Sequence, residues 1–464
     1  MSTSSRTSWD QWARSVPRLG STSSVESRHD PAATAVHLAK AGLADQYAVY
    51  EREGVWHFAA GSAVNLTADA VGITARADGR SWTSRVGTRP LEAFAQALAA
   101  LENAGHQERH FYGWAAFELA HFLHGDPAAG GTAPLLHALV PCVEVSLTSD
   151  RAVVRAVDEA WAQKVGDLLA EPSTARITVD EDTPVTAEGI IAAGTAAYGE
   201  AVARTVADIR AGLLEKAVLS RKVPLPAGSR ADFAASYLAG RRANTPARSY
   251  LLDLGGRRAA GFSPETVLEV RKDGRVSTQP LAGTRALSTD PMENERRRKD
   301  LLTDPKEIHE HAVSVRLARD EMDAVCRDGS VVVEEFMAVK PRGSVQHLAS
   351  RVTGRLGSGT GPWDAFASLF PAITATGVSK QAALGVLARY EDGPRGLYGG
   401  AVFRGSTDGS LDAALVLRTL LGEGGEVWLR AGAGVTGQSV PEREIEETCE
   451  KLRSVAPHLR YTDG

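Results

Sequence analysis

A chain of 464 residues with 43% hydrophobic side chains is long enough for one large core or two ordinary ones, and no stretch approaches the roughly 20 apolar residues of a spanning helix. Its formal charge of −5, with Lys, Arg, Asp and Glu mixed along the chain, argues against an extended nucleic-acid surface and against a membrane patch. Cys142, Cys326 and Cys449 are odd in number and widely scattered, so no disulfide framework or thiolate metal site is expected, and reduced thiols in a cytoplasm fit.

The opening MSTSSRTSWDQWARSVPRLGSTSSVESRHD is rich in Ser, Thr and Arg and lacks the apolar run of a secretory signal. Residues 1–30 are therefore expected as a mobile or loosely docked arm ahead of a single domain over 31–464. From Gln46 short strand-like runs follow, YAVYE, VWHFAAG, AVGITARADG and SWTSRVG, separated by turn residues. The amphipathic PLEAFAQALAALENAG predicts a helix, HFYGWAAFELAHFLHG is mixed, and LHALVPCVEVSLTSDRAVVRAV returns to strands. EPSTARITVDEDTPVTAEG could be an interdomain linker. A surface crossover is the better expectation, because the strand-rich texture is the same on both sides.

In the second half AAYGEAVARTVADIRAGLL predicts a helix, and KAVLSRKVPL, RSYLLDL, TVLEVRKDGRVSTQPLAG, LDAALVLRTLL and GEVWLRAGAGV predict strands. DPKEIHEHAVSVRLARDEMDAVC and PEREIEETCEKLRSVAPHL predict helices. Strands in hairpin-like groups, with helices gathered after them, indicate an α+β layered fold and not a regular βαβ alternation.

Two of these helices carry paired carboxylates, Glu307 with Glu310 and Glu444 with Glu447. Residues three apart share a helix face, so each helix can aim two carboxylates at one point, and four oxygen donors suit a hard divalent cation, Mg2+ before others. Such pairs are also ordinary on solvated helices and signify a site only if something brings them together. Lys216, at the start of an apolar strand, either snorkels to water or loses its proton and serves as a base. Glu265 follows a proline at a turn, where it either caps a helix or presents a carboxylic acid to a cleft. Arg418 stands among apolar residues of a strand and needs an anionic partner, structural or substrate. The small residues of RAGAGV admit an anionic ligand to the backbone or are simply a turn. His347 can donate to an oxyanion or fill a polar core slot, and its spacing favours the slot.

Taken together and in order, EKAVLSRKV, GFSPETVLEV, QPLAGTRA, DPKEIHEHAVSVR, RGSVQHLAS, LFPAITATGVSK, GPRGLYGGAV, LDAALVLRT, LRAGAGV and PEREIEETCEKL resemble the chorismate-utilising enzymes. That superfamily includes anthranilate, aminodeoxychorismate, isochorismate and salicylate synthases. The resemblance is strongest over 185–460 and extends weakly to YGWAAFELAH. It implies a single large α+β chorismate-binding domain in which two antiparallel sheets face each other with helices outside. Lysine at 216, where anthranilate-forming members usually carry glutamine, implies water as the nucleophile. Ala282 before Gly283 and Thr284 disfavours the covalent lysine of one aminodeoxychorismate synthase type. No glutaminase partner is implied, and a monomer is expected. Ser379 departs from the pattern, since many relatives have proline there.

Among these enzymes the motifs are most similar to the salicylate-forming members, which implies conversion of chorismate through isochorismate to salicylate and pyruvate. Isochorismate formation alone and anthranilate-type amination are the other readings. By the same resemblance, Glu310 and Glu447 ligate Mg2+ directly and Glu307 and Glu444 through water, with Lys451 adding charge nearby. Arg418 and Tyr398 clamp the enolpyruvyl carboxylate, and Gly283, Thr284, Gly432 and Gly434 complete the substrate cradle. Lys216 is the general base, Glu265 the general acid, and His347 a third catalytic candidate. A base must be neutral and an acid protonated, so their surroundings must lower the lysine's pKa and raise the glutamate's.

Overall fold

The computed structural model describes residues 9–10, 12–26, 29–86, 89–106, 108–171, 186–226 and 228–462. Residues 1–8 of the expected arm and 172–185, the middle of the expected crossover, lie outside these. Every strand pairing is antiparallel, and the strands hydrogen-bond into one continuous network.

That network is folded into the two facing sheets expected. Its bend lies in the long strands Val55–Ala68 and Leu136–Leu147, whose register slips between Ser62 and Val64. Gly61, at φ +71, stands at the slip, where a left-handed residue without a Cβ eases a sharp turn of the strand. One half-sheet continues through Tyr47–Arg52, Arg248–Leu254, Arg257–Ser263, Thr419–Glu423, Glu426–Val435 and Lys216–Pro224. The other continues through His110–Ala115, Ala401–Ser406, Leu411–Leu415, Thr266–Val270, Arg275–Thr278 and Val345–Arg355.

Side-chain alternation along the strands sorts the core into layers. Tyr250, Leu252 and Leu254 meet Tyr112, Trp114 and Val402 between the sheets. Leu251, one residue out of phase, packs outward with Val36, Leu38, Tyr237 and Leu238 of the helices Pro31–Lys40 and Phe233–Ala243. Across the molecule Phe111 and Phe403 pack outward with Phe94 and Phe366 of Pro90–Asn103 and Pro362–Leu369. Cys142, Cys326 and Cys449 are free thiols. Among the described residues no helix is long and apolar enough to cross a membrane.

Where described, the N-terminal arm is docked: Trp9 and Trp12 are buried edge to face at 5.4 Å, and Ser21–Glu26 pairs with Arg151–Ala156. Two large aromatic rings outweigh a polar composition when a core is in reach. One expectation, a single strand over LDAALVLRTLL, is corrected. The run forms two strands, Leu411–Leu415 in one sheet and Thr419–Glu423 in the other, and Arg418 sits in the crossing between them at φ +50.

Candidate functional site

The chain passes between the two sheets twice at one place. Arg257–Ser263 belongs to the first sheet and Thr266–Val270 to the second, with Pro264 and Glu265 between them. Glu265 therefore caps no helix. It lies at a corner beside the corner of Arg418, and the two are tied by backbone hydrogen bonds from Leu415 N to Glu265 O at 3.2 Å and from Phe262 N to Arg418 O at 3.2 Å. A non-glycine residue held left-handed costs about 1–3 kcal/mol, so the fold maintains the Arg418 position against a local preference.

One cavity opens at these corners. Its walls include Lys216, Glu265, Gly283, Thr284, Glu307, Glu310, His347, Tyr398, Arg418, Gly432, Gly434, Glu447 and Lys451. Of the candidates, Glu444 alone does not reach the wall; it is 1% exposed and hydrogen-bonded to Ser439. The helices Pro305–Asp323 and Pro441–Leu452 deliver the carboxylates. Lys216 begins the strand Lys216–Pro224, opposite Glu426–Val435. A Cβ on Gly434 would lie 2.9 Å from Lys216 Cε, and one on Gly432 would lie 2.5 Å from Leu219 O and 3.0 Å from the Tyr398 hydroxyl. Both glycines are close-approach positions.

Electrostatics divide the cavity. Burial pushes the Glu265 carboxyl up to about 8, against the opposing pull of its hydrogen bonds and of Lys216 and Lys451. Thr374 Oγ1 donates to it at 2.7 Å, leaving a protonated acid at neutral pH beside the lysine. Burial, followed by the charge of Arg342, lowers Arg418 to about 9, so it remains cationic. Its guanidinium donates to Arg342 O at 2.6 Å and to His347 Nε2 at 2.6 Å, neither of them an anion. Burial and Arg418 hold His347 well below its ordinary value. With Nε2 accepting, the proton of the neutral ring sits on Nδ1, which faces Thr284 Oγ1 at 3.0 Å and Gly283 O at 3.3 Å. His347 thus orients Arg418 and has no N–H turned to an oxyanion.

At the opposite end carboxylates crowd one another. Burial and the charges of Glu310 and Glu447 raise Glu307, and burial and Glu447 raise Glu444. Burial opposes the charge on Glu447, but Lys451, at 2.7 Å, prevails and lowers it. Glu307 is met by Arg285 at 2.9 Å. Glu310 Oε1 is buried without a hydrogen bond and has only Lys216 Nζ, 3.7 Å away. Among the described residues no three carboxylate, imidazole or thiol side chains stand close enough to grip a metal as they lie. The donor set nevertheless fits a hard divalent cation: clustered carboxylates from two helices, mutually repelling, one with an orphaned buried oxygen.

Sequence reasoning missed several participants. Thr374, Lys306 and Arg285 all lie inside quoted motifs, but nothing local marks Thr374 as the partner of a glutamate 109 residues away. Lys306 on the cavity wall and Arg285 on Glu307 carried a signal that could have been used, since each adjoins a singled-out residue in sequence.

Comparison with known proteins gives the family and the fold. The family described as chorismate binding enzyme matches residues 46–457. A salicylate synthase of Mycolicibacterium paratuberculosis is 40% identical over 441 residues, 93% of this chain and 94% of that protein. An anthranilate synthase component 1 of Bacillus subtilis is 38% identical over 255 residues, but over only 55% of this chain and 49% of its own length. Among solved structures, the menaquinone-specific isochorismate synthase of Escherichia coli superposes with a TM-score of 0.70 at 19% identity, covering 98% of this chain and all of that one. The likeness to that structure is one of fold.

Proposed function

The chain belongs to the chorismate binding enzyme family, and from that membership we propose that it is a salicylate synthase, converting chorismate through isochorismate to salicylate and pyruvate. The observation that carries the chemistry is a carboxyl held protonated, Glu265, in the same cavity as Lys216 and a buried guanidinium, that of Arg418, without an anionic partner among the described residues. The salicylate assignment draws support from the end-to-end match to a salicylate synthase, where the anthranilate synthase match spans about half the chain.

Chorismate bears a ring carboxylate and an enolpyruvyl carboxylate. Arg418, with Tyr398 beside it in the wall, receives the enolpyruvyl carboxylate, and the close-approach glycines let the ligand lie against the backbone. Lys216 takes a proton from water as its oxygen bonds to ring C2. Electrons shift through the ring, the C4–O bond breaks, and Glu265 protonates the departing hydroxyl to water. In the same site the hydrogen on C2 moves to the enolpyruvyl methylene and the C3–O bond breaks, giving salicylate and pyruvate. That step asks of the protein only that both carboxylates be held. Glu310 and Glu447 would hold Mg2+ directly and Glu307 and Glu444 through water, and the bound ion would neutralise the ring carboxylate.

Purified protein given chorismate and Mg2+ should release salicylate and pyruvate, and excess chelator should stop it. Isochorismate as sole end product would reassign the chain to isochorismate synthesis, and anthranilate on adding ammonium to an amination. Arg418→Ala should weaken substrate capture by about 1.5–3 kcal/mol, the value of hydrogen bonds to a charged group. Because Arg418 has no anionic partner among the described residues, the thermal midpoint should not fall with it. An unchanged KM, or a large loss of stability, would sink this role.

A further inference from the structure

Reaching back from Arg430 of the cavity wall lies a buried charge cluster that the chemistry above does not use. Glu391, at the end of the helix Lys380–Tyr390, is 3% exposed at its side chain. It accepts from Arg395 Nε at 2.8 Å and Nη2 at 2.5 Å, from Arg430 Nη2 at 2.7 Å, and from the backbone N and Oγ of Ser220 at 2.7 and 2.9 Å. Five donors on one carboxylate fix it fully.

Arg395 turns the rest of its donors toward the catalytic elements. Nη2 donates to Val218 O at 2.6 Å, two residues from Lys216 on the same strand. Nη1 donates to Ala375 O at 2.6 Å, the residue after Thr374, whose hydroxyl holds Glu265. Both carbonyls belong to residues of the cavity wall. The Arg395 and Arg430 guanidinium groups each stand 5.7 Å from the ring of Tyr398. One planar guanidinium thus links the strand of the base to the short helix that serves the acid, and its fork leaves little freedom between them.

We propose that Arg395, locked by Glu391, is a positioning residue that sets the separation of Lys216 and Glu265 across the substrate ring. Base and acid must act on opposite sides of one delocalised displacement, so their spacing governs the first step. The second step uses neither. The device therefore controls hydration of chorismate far more than elimination of pyruvate, a distinction that rests on the two-step reading above.

Arg395→Lys keeps the charge but has a single ammonium, which cannot reach Glu391 and both carbonyls in the same planar geometry. Its turnover of chorismate should fall about 100-fold, the cost of a displacement on the order of 1 Å, with KM for chorismate changed only a few-fold. Conversion of supplied isochorismate to salicylate should change only a few-fold. Glu391→Asp, which draws the carboxylate back by one methylene and preserves its charge, should give the same split at smaller amplitude, and it serves if the lysine variant does not fold. Equal loss on both substrates, or a fall that tracks the melting temperature alone in the variant that folds, overturns the proposal and leaves the cluster a structural one. Wild-type protein that makes neither isochorismate nor salicylate from chorismate overturns the function itself, an outcome separable from both.

Discussion

Lys216→Ala should abolish hydration of chorismate while leaving the conversion of supplied isochorismate within a few-fold of the wild type. A positioned general base typically contributes on the order of 10²- to 10⁴-fold to a rate, and Lys216, which shares the cavity with Glu265 as Lys306 and Lys451 also do, stands at the first residue of a strand. Its aliphatic stem passes over Gly434, whose missing Cβ leaves room for Cε. Its Nζ stands 3.7 Å from Glu310 Oε1, too long for a hydrogen bond, so little ties it down. Elimination of pyruvate requires orientation and no external base, so the alanine variant separates the two steps. Coupled assays on chorismate and on isochorismate, with melting curves for both proteins, provide the check. Equal loss in the two assays, with the fold intact, would remove Lys216 from the role of base.

Much of this site was legible because its chemistry sits on regular elements. Glutamates three apart on the helices Pro305–Asp323 and Pro441–Leu452 kept their spacing when folded, and the strands beginning at Lys216 and Glu426 formed where the apolar runs placed them. Arg418 was read as a strand residue, because a run of leucine, alanine and valine carries no mark of the corner at which one sheet hands the chain to the other. That corner follows from pairing with Arg257–Ser263 and Thr266–Val270, partners 141 to 166 residues earlier in the chain, and no local propensity reports such pairing. Glu444 shows the converse. Spacing puts it on one face with Glu447, yet packing buries it just behind the cavity wall with a hydrogen bond to Ser439. Trp9 and Trp12 held the evidence for a docked N-terminus, which the serines and threonines around them left open. Arg395 lay within a recognisable motif and Glu391 two residues ahead of that motif, but the reach of the cluster to Val218 and Ala375 exists only in three dimensions.

Glu265→Gln should cost on the order of 10²- to 10⁴-fold in chorismate hydration, the usual contribution of a general acid, and should at the same time make the protein more heat-stable at alkaline pH. Folded, the carboxyl keeps its proton to about 8, where an ordinary glutamate ionises near 4.5. Between those values the folded state binds one proton more than the unfolded state, so stability falls as pH rises, by roughly 1.4 kcal/mol per pH unit. Below the lower value both states are protonated and the site imposes no penalty. Above the higher one the folded protein carries a buried carboxylate and the penalty is complete. Glutamine keeps the shape and an acceptor for Thr374 but cannot ionise, so the variant should lose this slope. Near the lower value the two proteins should melt alike, and above about pH 8 the variant should melt higher. In the wild type, hydration should decline as pH climbs through about 8, since the ionised group has no proton to give the departing hydroxyl. Melting midpoints that run parallel for the two proteins from about pH 5 to 9 would show that this carboxyl titrates normally. Glu265 would then be an ordinary buried carboxylate and could not serve as the acid.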